Sequence, residues 1–248
     1  PTIFANCSEN ISIISVPMLT AIEVTIKNIS NETNISVATI NAMLRGKTKV
    51  ENKPRKKIEL LNKYEKDERI MQVSGYGCKL TRIGDYPYDA YINERAHSWS
   101  WGTWKDRWET VDWEVSDFKE LSASKVLQRK FNKRGSDLYG MLKGYMEHKN
   151  HSWYIRFNYS MYKQKRFSIM PIKSLVRNDG FGDDASNCNT YNRYKVDFEM
   201  EHNGEFKVPK YFEPCERIIA NSVRYWQLPY RIYGKIMTIL IKCFNKGQ

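Results

Sequence analysis

The chain has 248 residues, 41% of them hydrophobic and 27% charged, which suffices for one sizeable core and a single domain with an appendage. Its 7 Trp, 16 Tyr and 10 Phe exclude disorder over most of the length, because disordered chains are poor in aromatics. The formal charge of +12 favours anionic partners (nucleotide diphosphates, nucleic acid or acidic lipid headgroups) and does not choose among them. In chain order, residues 11–16 and 22–26 are rich in β-branched side chains and predict short strands. Residues 36–50 predict a helix with Val37, Ile40, Met43 and Leu44 on one side, interrupted by Pro54 and the basic run Arg55-Lys56-Lys57. Residues 58–68 predict a short helix, 69–74 a strand ending at Gly75, and 76–97 a loop. Further helices are expected over 117–130, from Ser136-Asp137 onward with Leu138, Met141, Leu142 and Tyr145 at helical spacing, and over 153–164. A strand at 167–170 stops at Pro171, residues 178–190 form a Gly/Asp/Asn loop, and 216–244 predict a basic, aromatic, amphipathic helix or helix pair. Strands interleaved with helices point to an α/β fold.

The five cysteines (Cys7, Cys78, Cys188, Cys215 and Cys243) are odd in number and include no C-x-x-C pair. That excludes a zinc ribbon or a thioredoxin-like motif and fits a reducing compartment. Six Asn-x-Ser/Thr sequons, at Asn6, Asn10, Asn28, Asn31, Asn34 and Asn158, fit an Asn-rich composition, since the first residues lack the basic region of a secretory signal. No run of 18 apolar residues is present, so no membrane-spanning helix is expected.

The densest signal is Ser98-Trp99-Ser100-Trp101-Gly102-Thr103-Trp104-Lys105-Asp106-Arg107-Trp108. It resembles the Ser-Trp-Gly-Trp-Ala-Thr-Trp-Lys-x-x-Trp segment of bacterial sugar transferases related to glycosyltransferase family 2, with Ser100 in place of Gly and Gly102 in place of Ala. Four other segments are similar to that family in the same order. They are the stretch from Tyr64 to Tyr76, Phe131-Asn132-Lys133-Arg134-Gly135-Ser136-Asp137, Ser152-Trp153-Tyr154-Ile155-Arg156, and Pro171 to Val176 with Asn178-Asp179-Gly180-Phe181. Upstream, Val24-Thr25-Ile26 and Asn34-Ile35-Ser36-Val37-Ala38 resemble a strand and a turn of the family, with Ser36 in place of Gly.

The resemblance implies a GT-A-like (Rossmann-like) nucleotide-sugar transferase domain over 1–200, incomplete at its N-terminus and near 58–60, and a basic amphipathic helical tail over 201–248. It implies a nucleotide-sugar donor, a glycan or lipid-linked acceptor, and a cytoplasmic protein at the inner face of a membrane. Nucleic acid is not expected as a partner. Asp137 stands at the family's acidic position as the candidate base that takes the acceptor proton; the alternative is a helix N-cap. Trp99, Ser100, Trp101, Gly102, Trp104, Asn34, Asn178 and Gly180 are the candidate substrate-binding residues, and the tryptophans could equally form a plug beneath the cleft. The family's cation, Mn or Mg, is held by an acidic strand end that has no counterpart where Ile58-Glu59 runs into Leu60-Leu61. Asn187 stands at the position of a family His, and Asp183 and Asp184 lie beside it as further candidate ligands. His97, His148, His151 and His202 lack ligand spacing and are expected to be structural or exposed. The tail, with Arg217, Arg224, Trp226, Arg231, Lys235 and Lys242, could rest on an anionic membrane or dock on the chain's own core. Such a protein is expected to transfer sugar weakly or not at all, or to persist as a non-catalytic glycan- or anion-binding module.

Overall fold

The computed structural model describes residues 2–5, 52–81, 83–176, 191–194, 196–198 and 206–245. The strands expected at 11–16 and 22–26, the helix at 36–50 and the loop at 178–190 lie outside them. The described chain is α/β. One five-stranded mixed sheet has the order β1 (Thr2–Ala5), β4 (Trp101–Trp104), β2 (Ile70–Ser74), β5 (Phe167–Pro171), β3 (Ala90–Asn93). β2 and β5 run parallel at its centre, and the other neighbours are antiparallel.

Strands β2, β3 and β4 are buried at every residue, so the sheet is covered on both faces. On one face α1 (Asn52–Lys63) lays Leu60 and Leu61 against Ile70, Val73, Ile92, Trp104 and Ile169, with Phe212 closing the cluster. Ile70 and Val73 share that face although three residues apart, because the β2–β5 register shifts between Ile70 and Gln72. The other face carries α6 (Trp153–Lys163) and α7 (Glu216–Val223). Phe157 and Met161 of α6 pack on Met71, and Ile218 of α7 packs with Tyr91 and Met170. A satellite cluster joins α3 (Phe118–Ala123), α4 (Lys125–Phe131), α5 (Leu138–Met146) and α6 through Leu121, Phe131, Leu138, Leu142 and Ile155.

Several boundaries differ from expectation for local reasons. The helix expected over 58–68 is α1, Asn52–Lys63, so the basic run lies within it and Pro54 stands in its first turn, where a missing N–H costs nothing. The expected helix over 117–130 is two helices, broken at Ser124, whose extended backbone ends α3 and whose hydroxyl accepts from Leu127 N at 3.3 Å to cap α4. The expected loop at 76–97 contains β3, held between Asp89 and Glu94 by its pairing with β5.

Residues 216–226 pack into the core rather than forming a separate tail: Ile218, Ile219, Val223, Tyr225 and Trp226 are all buried. Among the described residues α8 (Leu228–Asn245) is the helix that leaves most of its apolar side chains exposed.

Gly77 lies against Pro171. A Cβ there would sit 2.1 Å from the Pro171 carbonyl oxygen, a contact that only backbone movement could relieve. Gly140, exposed within α5, meets nothing within 4 Å. Gly77→Ala is therefore expected to cost about 1–3 kcal/mol and Gly140→Ala to stabilise by about 0.5–1 kcal/mol, both read by urea unfolding.

Candidate functional site

The carboxyl ends of the parallel pair β2 and β5 are where an open α/β sheet offers a crevice. The chain leaves β2 through Gly75, whose N–H donates to Ser100 O at 2.6 Å and whose carbonyl accepts from Leu175 N at 2.9 Å. Ser100 holds a left-handed backbone, φ 47°, which costs a non-glycine residue about 1–2 kcal/mol. Lys57 of α1 donates to the Ser100 hydroxyl at 3.2 Å, and burial pushes its pKa down to about 8.

Beside this edge lies a cation roofed by rings. Arg95 is 1% exposed, and its two terminal nitrogens donate to both oxygens of Asp137 at 3.0 and 2.8 Å. Its guanidinium lies 4.7 Å from the Trp226 ring centre and 5.9 Å from that of Tyr154. Trp226 also packs at a tilt against His97 at 4.7 Å and Tyr194 at 5.4 Å. Tyr76 lies against both His97, at 5.0 Å, and Trp99, at 4.7 Å. Gly135 makes the ion pair sterically possible: with φ 154°, a Cβ there would fall 2.0 Å from Arg95 Nη1. Ser136 closes the roof by donating both N–H, at 3.2 Å, and O–H, at 3.1 Å, to the Trp226 carbonyl.

His97 is buried in this cluster, and its pKa falls well below the usual imidazole value, first through burial and then through the charge of Arg95. The His97 backbone N–H donates to Gln72 Oε1 at 2.9 Å, an oxygen that also accepts from Ser168 Oγ at 3.0 Å. Among the described residues, Gln72 Nε2, Tyr76 Oη, Arg95 Nε and His97 Nε2 are buried without a hydrogen-bond partner.

The three candidate tryptophans separate by strand geometry. Trp101 and Trp104 lie in β4, three residues apart on opposite faces, and both are buried. Trp101 stacks on Trp153 at 4.8 Å and Trp108 at 5.9 Å, while Trp104 packs with α1 and Arg107 lies over its ring at 4.6 Å. Gly102 pairs with Phe4 and Val73 inside the sheet. Trp99 is half-buried at the crevice. Asp137 stands at the N-cap of α5 but makes no side-chain capping bond; both oxygens turn to Arg95 instead. Asn34, Asn178, Gly180, Asp183, Asp184 and Asn187 lie outside the described residues. Among the described residues no three His, Cys, Asp or Glu side chains are placed to share a metal ion. His148 and His151 are exposed as expected, whereas His97 is a central member of the site.

Compared with models of known protein families, with curated proteins and with solved structures, the chain matches none. Arg95, His97, Tyr76 and Trp226 are the site residues that motif reading passed over. Arg95-Ala96-His97 directly precedes the tryptophan-rich segment, and that adjacency was the available signal.

Two predictions follow from the burial of this cluster. Removing one partner of a buried ion pair leaves the other charge stranded, so Arg95→Met or Asp137→Leu alone is expected to cost about 3–5 kcal/mol, while the double variant recovers most of the loss in urea unfolding. His97 binds a proton in the unfolded chain below about pH 6.5 but stays neutral when folded, so its contribution to stability is present above that pH and is lost as pH falls. His97→Phe should flatten the pH dependence of stability between about pH 6.5 and 5.5, removing a slope of up to about 1.4 kcal/mol per pH unit.

Proposed function

We propose that the chain is a glycosyltransferase-type domain of GT-A-like design, which binds a nucleotide-sugar donor and passes its sugar to a glycan or lipid-linked acceptor. The observation that carries this reading is the convergence of the five similar segments at one edge of the sheet. Gly75 meets Ser100 and Leu175 through backbone bonds, Trp101 stacks on Trp153, and Asp137 joins the same neighbourhood through Arg95. In an inverting transfer the acceptor hydroxyl attacks the anomeric carbon, its proton passes to a carboxylate, and the nucleoside diphosphate departs with the bonding pair. Asp137 is proposed as that carboxylate and Trp99 as the ring against which an apolar sugar face packs. The Mn or Mg that the family uses would neutralise the departing diphosphate. Among the described residues no three His, Cys, Asp or Glu side chains are grouped to hold it.

A second reading, a non-catalytic glycan- or anion-binding module, is favoured by one specific feature. Both Asp137 oxygens are engaged by a buried guanidinium, so an acceptor hydroxyl would have to share an oxygen already bonded to Arg95. Calorimetric titration with uridine and guanosine diphosphate sugars, with and without manganese, combined with a turnover assay, separates the two. The transferase reading expects donor binding and a turnover that Asp137→Asn lowers by about 100-fold or more while donor binding persists. Donor or oligosaccharide binding without turnover would move the assignment to the binding module, and failure to bind any nucleotide sugar would overturn the transferase.

A further inference from the structure

α8 is attached to the body along one narrow stripe. Arg231 Nη1 donates to Ser136 Oγ at 3.0 Å, Gly234 packs against the Arg193 side chain, and the Thr238 hydroxyl accepts from Tyr191 N at 3.0 Å. These positions recur at i, i+3 and i+7, one helical face. The opposite face carries Ile232, Ile236, Leu240 and Cys243, with Ile239 and Tyr233 beside them, and all are exposed. Ile239 is 61% exposed and Ile236 51%, so the most apolar arc of the helix points away from the protein. An arc of this size facing water in a folded domain marks an interaction surface.

The charge around the arc is of one sign. Leu228–Asn245 contains Arg231, Lys235 and Lys242 and no acidic residue. Lys235 and Lys242 lie along one flank of the apolar arc. Below the other flank, Tyr230 and Tyr233 join Lys79, Arg193 and Arg224 around a cleft of about 640 Å³ with no carboxylate among its described lining residues. Among the described residues none of these six cations forms an ion pair with Asp or Glu. Arg224 is positioned by Thr81 Oγ1 at 2.6 Å and the Lys79 carbonyl at 3.0 Å, which fixes its guanidinium without neutralising it. With 18 residues the helix is about 27 Å long, but none of the described helices is apolar enough to cross a membrane.

We infer that α8 is an in-plane membrane-surface helix. It seats Ile232, Ile236, Ile239 and Leu240 in the acyl boundary of an anionic bilayer, and the Lys79–Arg193–Arg224 cleft receives a lipid phosphate at its root. An apolar arc bordered by cations on both sides, with no acid among the described residues around it, is complementary to anionic headgroups above acyl chains and not to a neutral apolar partner. The inference is independent of the transferase assignment, since it uses none of the residues proposed there.

Co-sedimentation of the full chain with vesicles tests it. Binding is expected to phosphatidylcholine vesicles containing about a quarter phosphatidylglycerol, to weaken with salt, and to be slight with phosphatidylcholine alone. Ile236→Asp with Ile239→Asp should abolish it while leaving the circular dichroism spectrum and Tm unchanged, because both side chains are exposed. Lys79→Ala, Lys235→Ala and Lys242→Ala should each weaken it by about fivefold. Equal binding to both vesicle types would overturn the inference, as would inorganic phosphate binding without vesicle binding. So would a solution dimer that Ile236→Asp dissociates, which would assign the face to a second copy of the chain.

Discussion

The fold turns on the buried contact between Arg95 and Asp137. A guanidinium withdrawn from water is tolerated only where its donors are met, and here both oxygens of Asp137 and the carbonyl of Arg134 meet them. The two side chains lie 42 positions apart, and the ring that covers them, Trp226, comes from a third region of the chain. The pair thus locks the segment after β3, the entry to α5 and the C-terminal residues to one another. Arg134 repeats the device nearby, bridging Glu94 and Glu216.

Aromatic side chains supply most of the surrounding core, and strand geometry decides what each one does. Within β4 the period of two sends Trp101 to α6 and Trp104 to α1, so a run that looks like a single platform is divided between two faces of the sheet. Trp99 precedes the strand, beyond the reach of that alternation, and therefore remains at the crevice. The left-handed Ser100 between them is the turn that permits the change of direction.

The elements with long, regular patterns were legible in the sequence. α5 begins at Leu138, directly after the expected Ser136-Asp137 start, and α6 covers 153–163; β2 ends at Ser74, just before Gly75, and β5 runs one residue past its expected end, to Pro171. β3 was not legible, because four residues buried on both sides show no alternation and sit among Tyr, Pro and Asp that read as a loop. The site was less legible than the fold. Asp137 could be singled out as an acidic residue at a helix start, but its partner could not, since nothing local links it to Arg95. Nor does local sequence reveal that a tryptophan in the basic C-terminal stretch becomes the lid of a crevice rather than part of an exposed helix.

The position of Trp226 bears on how the chain can be shortened. It ends the 3-10 turn Arg224–Trp226, and α8 starts two residues later at Leu228. A terminus placed after Gln227 would remove the exposed apolar helix and leave the ring over Arg95 in place. A terminus a few residues earlier would strip the ring from the ion pair, remove the carbonyl that Ser136 grips, and open the interior to water. Trimming for solubility and unroofing the site are therefore separated by a step of two residues in the polypeptide.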